Sequence, residues 1–362
     1  MPTLHALDLT TDVVTLTRQL VDIESVSRNE GPIADAVEDA LRALPHLRVQ
    51  RFGNTVVART ELGLGERVIL AGHLDTVPVN DNLPSRSDGT YLHGLGTSDM
   101  KGGDAVILKV AAAVGSGRVQ PTRDVTFILY DCEEIEASAN GLNLLSRSHP
   151  ELLEADFAIL MESSRAEVEA GCQGTLRAEI RTRGERAHTA RAWTGSNAIH
   201  AAAPILATLA DYVPRRPVID GLEFHEGLNA VAVSGGVAGN VVPDECVVTV
   251  NYRFAPDRSE EEALAHVRDV FSAYDVVLTD SAPGALPGLD RPAAREFLEA
   301  VATPVGPKFG WTDVARFSLL GIPAVNYGPG DATYAHRRDE KVLISRIETC
   351  ERALLAWLGG AA

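Results

Sequence analysis

At 362 residues, with 45% hydrophobic and 23% charged side chains, the chain has the composition of an ordinary globular protein with room for about two domains. A formal net charge of −17 counts against nucleic-acid binding, which rests on basic surfaces that neutralise phosphates. No apolar run approaches the ~18 residues of a membrane-spanning helix.

The N-terminus, MPTLHALDLTTD, has neither a basic nor an apolar region, so an export signal is not expected. A helical pattern over 11–26 is followed by another over 31–44. Strands are expected at 48–59 and 67–73. A Gly-rich loop then leads into a helix over 102–115 and a strand, DVTFILYD, at 124–131. A helix over 140–149 and a strand, ADFAILME, at 155–162 follow. Apolar strands alternating with helices predict a mainly parallel sheet flanked by helices.

From about residue 176 the pattern changes. TLRAEIRTRGE alternates with period two, as a half-exposed strand does. A helix at 196–212, strands at 229–237 and 245–254, a helix at 259–272 and a strand at 275–280 complete the order βαββαβ, an α+β, ferredoxin-like unit. The Pro/Gly-rich SAPGALPGLDRPA at 281–293 reads as the return hinge. Helix, strand and helix resume at 292–303, 322–327 and 344–358. The expected organisation is a main α/β domain over 1–175 and 288–362, interrupted by a smaller inserted domain over 176–287. The four cysteines (Cys132, Cys172, Cys246, Cys350) are scattered without a CxxC pair, which reads as reduced thiols in a cytoplasmic protein.

In an open α/β sheet, ligand sites collect beyond the carboxyl ends of the strands. The 67–73 strand delivers His73 and Asp75 there, and the loop HGLGTSDMKGG delivers Asp99. YDCEEIE delivers Glu133 and Glu134, LMES delivers Glu162, and YAHRRDE delivers His336. Each has an ordinary reading alone: paired glutamates are commonly solvated, and Asp99 could cap the helix that follows. Together they are a histidine and carboxylate set suited to zinc, with cobalt or manganese as substitutes. The Gly-rich loop lacks the spacing of a phosphate-binding P-loop.

GHLDTVP, GLGTSDMKGG, DCEEIEASANG, LMES and AHRRDE, in that order, resemble the co-catalytic zinc aminoacylase and carboxypeptidase family of the M20 type, over essentially the whole chain. The resemblance implies two zinc ions per subunit. His73 and Glu162 would complete one site, His336 and Glu134 the other, and Asp99 would bridge them. Asp75 would hold the His73 ring by its second nitrogen. Glu133 would be the general base, and the Asp99–Met100 peptide would be cis. In the inserted domain, GERAHTA would place His188 on a lid that also dimerises the protein, reaching the partner's site to stabilise the oxyanion. Asn240 in GGVAGNVVPDEC and Arg253 in VNYRFAP would contact substrate.

KFGWTDVARF and NYGPGDATYAHRRDE resemble the actinobacterial members of the family that remove succinate from succinyl-diaminopimelate. They imply Thr312, Gly328 and Asp331 near an acylated amino-acid substrate, with Arg316 supporting the loop. Neither a membrane nor a nucleic acid is an expected partner. The chain departs from the proteobacterial members at GWTDVAR, at Gln173 and at Arg191, and LMES lacks the proline that often follows this glutamate. Acetylornithine deacetylation and a non-catalytic binding role are the other readings.

Overall fold

The apolar run VILAGH forms the strand Arg67–His73, buried from Val68 onward. Burial on both faces is what a strand in a covered parallel sheet requires. The computed structural model describes residues 6–360. It divides into two compact units. Met1–Ala170, Gly288–Gly306 and Arg316–Ala362 make the first, and Gly171–Pro287 with Pro307–Ala315 makes the second.

The first unit is built on an eight-stranded sheet. Its order is Arg48–Phe52, Thr55–Arg59, Asp124–Tyr130, Arg67–His73, Phe157–Leu160, Ala324–Asn326, Val168–Ala170 and Val305–Pro307. The four strands from Asp124–Tyr130 to Ala324–Asn326 are mutually parallel. Ala324–Asn326, from near the end of the chain, is inserted between two strands formed much earlier. The helix Lys101–Gly115 is buried along its whole length, packed on the sheet and against the helices Val13–Val21 and Ile344–Gly359. Its run of Ala, Val and Gly suits a helix covered on every side. Lys101, almost fully buried, donates from Nζ to the Ile23 carbonyl at 2.7 Å.

In the second unit four antiparallel strands lie in the order Gly227–Gly235, Glu245–Phe254, Gly174–Arg183, Asp275–Ala282. Leu176, Ile180, Val248, Val250 and Tyr252 share a core with Ala198, Ile205, Val267 and Phe271 from the helical segments. Residues of alternate parity, among them Thr175, Arg177, Asn251 and Arg253, remain partly or fully exposed.

Several elements differ from the sequence expectation. The strand expected over 48–59 is a hairpin that turns at Gly53, whose φ of +62° a residue with a Cβ rarely adopts. The helix expected over 196–212 is two helices, Ala198–Ala201 and Ala203–Ala210, because Pro204 lacks the N–H that would continue the ladder. The short strands Val168–Ala170 and Val305–Pro307 carry too few residues for a readable period.

Candidate metal centre

The parallel register sets four strand ends side by side. His73 pairs with Tyr130, Ala71 with Leu160, and Leu160 with Asn326. The segments leaving this edge carry Glu133 and Glu134, Glu162, and Gly328. Asp75 follows His73 by two residues, and loops from elsewhere in the unit bring Asp99 and His336 to the same place.

Five of the predicted residues bring their ligand atoms together there. His73 Nε2 lies 3.3 Å from Asp99 Oδ1 and 3.9 Å from Glu162 Oε1. His336 Nε2 lies 3.0 Å from Glu134 Oε1 and 3.4 Å from Asp99 Oδ2. Each oxygen of Asp99 therefore faces a different histidine. His73, Asp99 and Glu162 form one group, and Asp99, Glu134 and His336 a second, with ligand atoms within 4.8 Å of one another in each. Ligands about 2.0–2.2 Å from a tetrahedral zinc stand ~3.3–3.6 Å apart. The donor set and its spacing fit two metal ions that share one carboxylate.

The charges around these groups favour a cation. Burial alone would push the His73 imidazole down, but hydrogen bonds to Asp75 and Asp99 hold it well above its ordinary value. Hydrogen bonds to Asp99 and Glu134 push His336 up to about 10. Asp99 is buried, which raises a carboxyl, yet the two histidines keep it well below the usual carboxylate range. The same carboxylates that raise the two imidazoles would favour a bound cation in place of their protons.

Asp75 does more than its spacing suggested. The Nδ1 of His73 is 3.1 Å from the Asp75 backbone carbonyl and 3.5 Å from Asp75 Oδ1. The same fully buried carboxylate accepts the N–H groups of Glu133 and Glu134 at 3.0 and 3.1 Å, and the Ser27 hydroxyl at 2.7 Å. One aspartate thus orients a histidine and the adjoining glutamate pair. The chain leaves the strand at Tyr130 and turns through Cys132, at φ +57°. Buried Glu30 supports that turn by accepting the Cys132 and Arg28 N–H groups at 3.2 and 2.8 Å. The Asp99–Met100 peptide is cis, as the family resemblance implied.

Other predicted residues have different surroundings. A Cβ on Gly328 would meet the carbonyl oxygens of Met161 and Glu162 at 2.1 and 2.5 Å, so a bare backbone is needed for close packing against the Glu162 segment. Asp331 accepts the Thr333 N–H and hydroxyl at 3.0 and 2.7 Å and lies 3.4 Å from Arg346. His188, Asn240, Arg253 and Thr312 belong to the second unit. There, His188 forms a bridge with Val241, and the Thr189 N–H reaches the Asn240 carbonyl at 3.1 Å, so the segments carrying His188 and Asn240 are paired. Burial pushes the Arg253 guanidinium down, and no acidic side chain pairs with it among the described residues. Buried Glu30 and Glu340 were not singled out from the sequence. Glu340 accepts backbone N–H groups, and Glu30 accepts backbone groups together with the Cys132 thiol and the Asn54 amide, contacts that no motif spacing exposes.

The chain matches the peptidase family M20/M25/M40 over residues 69–359. It is 54% identical, over 98% of its length and 100% of the relative's, to a Mycobacterium tuberculosis protein described as "Putative succinyl-diaminopimelate desuccinylase DapE". It is 46% identical to the succinyl-diaminopimelate desuccinylase of Corynebacterium glutamicum, covering 97% of each chain. The solved structure of a tripeptidase from Staphylococcus aureus has the same fold, at a TM-score of 0.79, 22% identity and 98% coverage of both chains.

Proposed function

The chain belongs to peptidase family M20/M25/M40 and is a metal-dependent amide hydrolase, and from that premise we propose that it hydrolyses N-succinyl-LL-2,6-diaminopimelate to succinate and LL-2,6-diaminopimelate. The observation that carries the chemistry is the pair of three-residue groups joined through Asp99. The substrate follows from identities of 46% and 54% that run the length of the chain and of its relatives.

We assign His73, Asp99 and Glu162 to one zinc ion, and Asp99, Glu134 and His336 to the other. When bound, such a metal pair supplies Lewis acidity that polarises an amide carbonyl and lowers the pKa of water. Glu133, in this reading, takes the proton from the attacking water and returns it to the leaving nitrogen as the C–N bond breaks. Asp75 fixes both the His73 ring and the backbone of Glu133. His188 donates a hydrogen bond to the developing oxyanion, where a fixed donor counts most. Arg253, lacking an acidic partner, receives a substrate carboxylate through its planar fork. Asn240, Thr312, Gly328 and Asp331 are assigned to the substrate's surroundings.

We take the first unit as the catalytic domain and the second as the lid and dimerisation domain, with His188 serving the partner's site. The edge strand Gly227–Gly235 supports this assembly: it is paired on one side only, and Asn229 to Gly235 are exposed throughout. A cytoplasmic location belongs to the same reading, in keeping with four buried cysteines that form no disulfide. No helix among the described residues is long and apolar enough to cross a membrane.

The deciding experiment is turnover by chelated protein reloaded with zinc, on succinyl-diaminopimelate, acetylornithine and a dipeptide. Selective release of succinate is expected. A preference for acetylornithine or the dipeptide would keep the metal chemistry and overturn the substrate. No zinc-dependent activity on any of the three would leave an untested acyl substrate or a non-catalytic role, and bound-metal stoichiometry would separate the two.

A further inference from the structure

Glu340 lies four residues beyond His336, is 2% exposed, and points its carboxylate at backbone rather than at a cation. Its Oε2 accepts the Gly96 N–H at 3.0 Å, and its Oε1 accepts those of Ser98 and Asp99 at 2.9 and 3.1 Å. Its own carbonyl accepts the Gly94 N–H at 3.1 Å. Four N–H groups of the loop that presents Asp99 therefore end on one residue. Three contacts at Ser98 add to this anchorage. The Ser98 hydroxyl donates to the Lys341 carbonyl at 2.8 Å and accepts the Asp331 N–H at 3.0 Å, and its carbonyl accepts the Ser163 hydroxyl at 2.7 Å.

A carboxylate has two oxygens and several lone pairs, so it can hold three converging N–H donors that no neutral side chain satisfies together. Once ionised and saturated in this way, it fixes the φ and ψ of the residues that donate. Glu340 sits in the segment that also carries His336. It thereby ties the residue shared by both ligand groups to the chain that supplies one of the two histidines.

We propose that Glu340 is a positioning residue for the metal pair, which sets the place of the bridging carboxylate of Asp99 and its distance from His336. The proposal rests on the assignment of Asp99 as the shared ligand. Because Asp99 belongs to both groups, loosening its loop weakens both metal sites, whereas loss of a terminal ligand weakens one.

The test is calorimetric titration of zinc into chelated Glu340→Gln protein, with the thermal melt recorded with and without metal. The amide keeps the side chain's shape but offers one acceptor atom and presents N–H groups to N–H donors. Affinity for both zinc equivalents is expected to fall about 10- to 100-fold, the usual range when a partner of a ligand is lost. The melting gain on adding zinc should shrink, and kcat should fall while KM stays within about twofold. Glu340→Asp, which keeps the charge on a shorter arm, should recover part of each effect. Unchanged affinities for both equivalents would overturn the proposal. Failure of both variants to fold without metal would do the same, because the carboxylate would then serve the fold rather than the ligand. His73→Ala and His336→Ala are the controls for the underlying assignment: if neither alters zinc binding, it is the ligand set that is wrong.

Discussion

At the scale of single residues, Glu133 and Glu134 are chain neighbours with separate environments. Glu134 faces His336 at 3.0 Å, while the Glu133 carboxylate acts electrostatically on His73. Glu133→Gln is expected to bind two zinc ions with ordinary affinity and to lose turnover by at least ~100-fold, the usual contribution of a positioned base. Turnover within a few-fold of the parent would remove Glu133 from that role. The imidazoles set a pH dependence. Hydrogen bonds to Asp99 and Glu134 push the His336 imidazole up to about 10, so a metal bound there would compete with a proton at neutral pH. Zinc affinity should accordingly rise with pH between about 6 and 9, with proton release measurable by calorimetry in buffers of different ionisation enthalpy. The sign for stability is opposite. The ion pairs of His336 support the metal-free fold fully below the ordinary histidine value and are lost as pH rises through about 10. The candidate ligands were legible in the sequence as a group because metal chemistry draws on few residue types. Glu340 was not, because any buried carboxylate can accept backbone N–H groups, and its burial is decided by segments over 240 positions away.

At the scale of elements, the site depends on strand ends held in register. Gly328 lets its segment lie against the carbonyls of Met161 and Glu162. Gly328→Ala should force the two segments apart, lowering both zinc affinity and melting temperature. Ser259 is a useful contrast. It caps the helix Glu260–Val270 with a complete capping box, far along the chain from any ligand. Ser259→Ala should cost about 1 kcal/mol in denaturant unfolding and leave zinc affinity unchanged. The central strands were readable because apolar side chains cover both faces and Gly or polar residues punctuate their ends. The hairpin at Gly53 and the break before Pro204 were signalled by single residues inside otherwise continuous patterns, where periodicity outweighed the local cue.

At the scale of the whole molecule, the change from two-sided apolar strands to alternating ones at about residue 176 made the second unit legible. What that unit touches beyond itself was not, since surface chemistry has no periodicity. Its exposed edge strand carries Val231 and Val233, 57% and 53% exposed. Sedimentation should show a dimer, and Val233→Lys should shift it toward monomer. If His188 works across that dimer, inactive His188→Ala and Glu133→Gln proteins should complement when mixed. Random pairing would restore roughly a quarter of the parent rate, because half the dimers carry one intact composite site. No recovery after verified subunit exchange would place His188 in its own subunit's site or outside the chemistry. The late strand Ala324–Asn326 has a consequence in time. It fills a slot between Phe157–Leu160 and Val168–Ala170, so during synthesis the sheet stays split until more than 320 residues have been made. The inserted unit, complete in sequence by Ala315, can fold on the ribosome first. The nascent chain therefore cannot bring both candidate ligand groups together until His336 has emerged, and termination before Asn326 leaves a gap inside the sheet rather than a shortened enzyme.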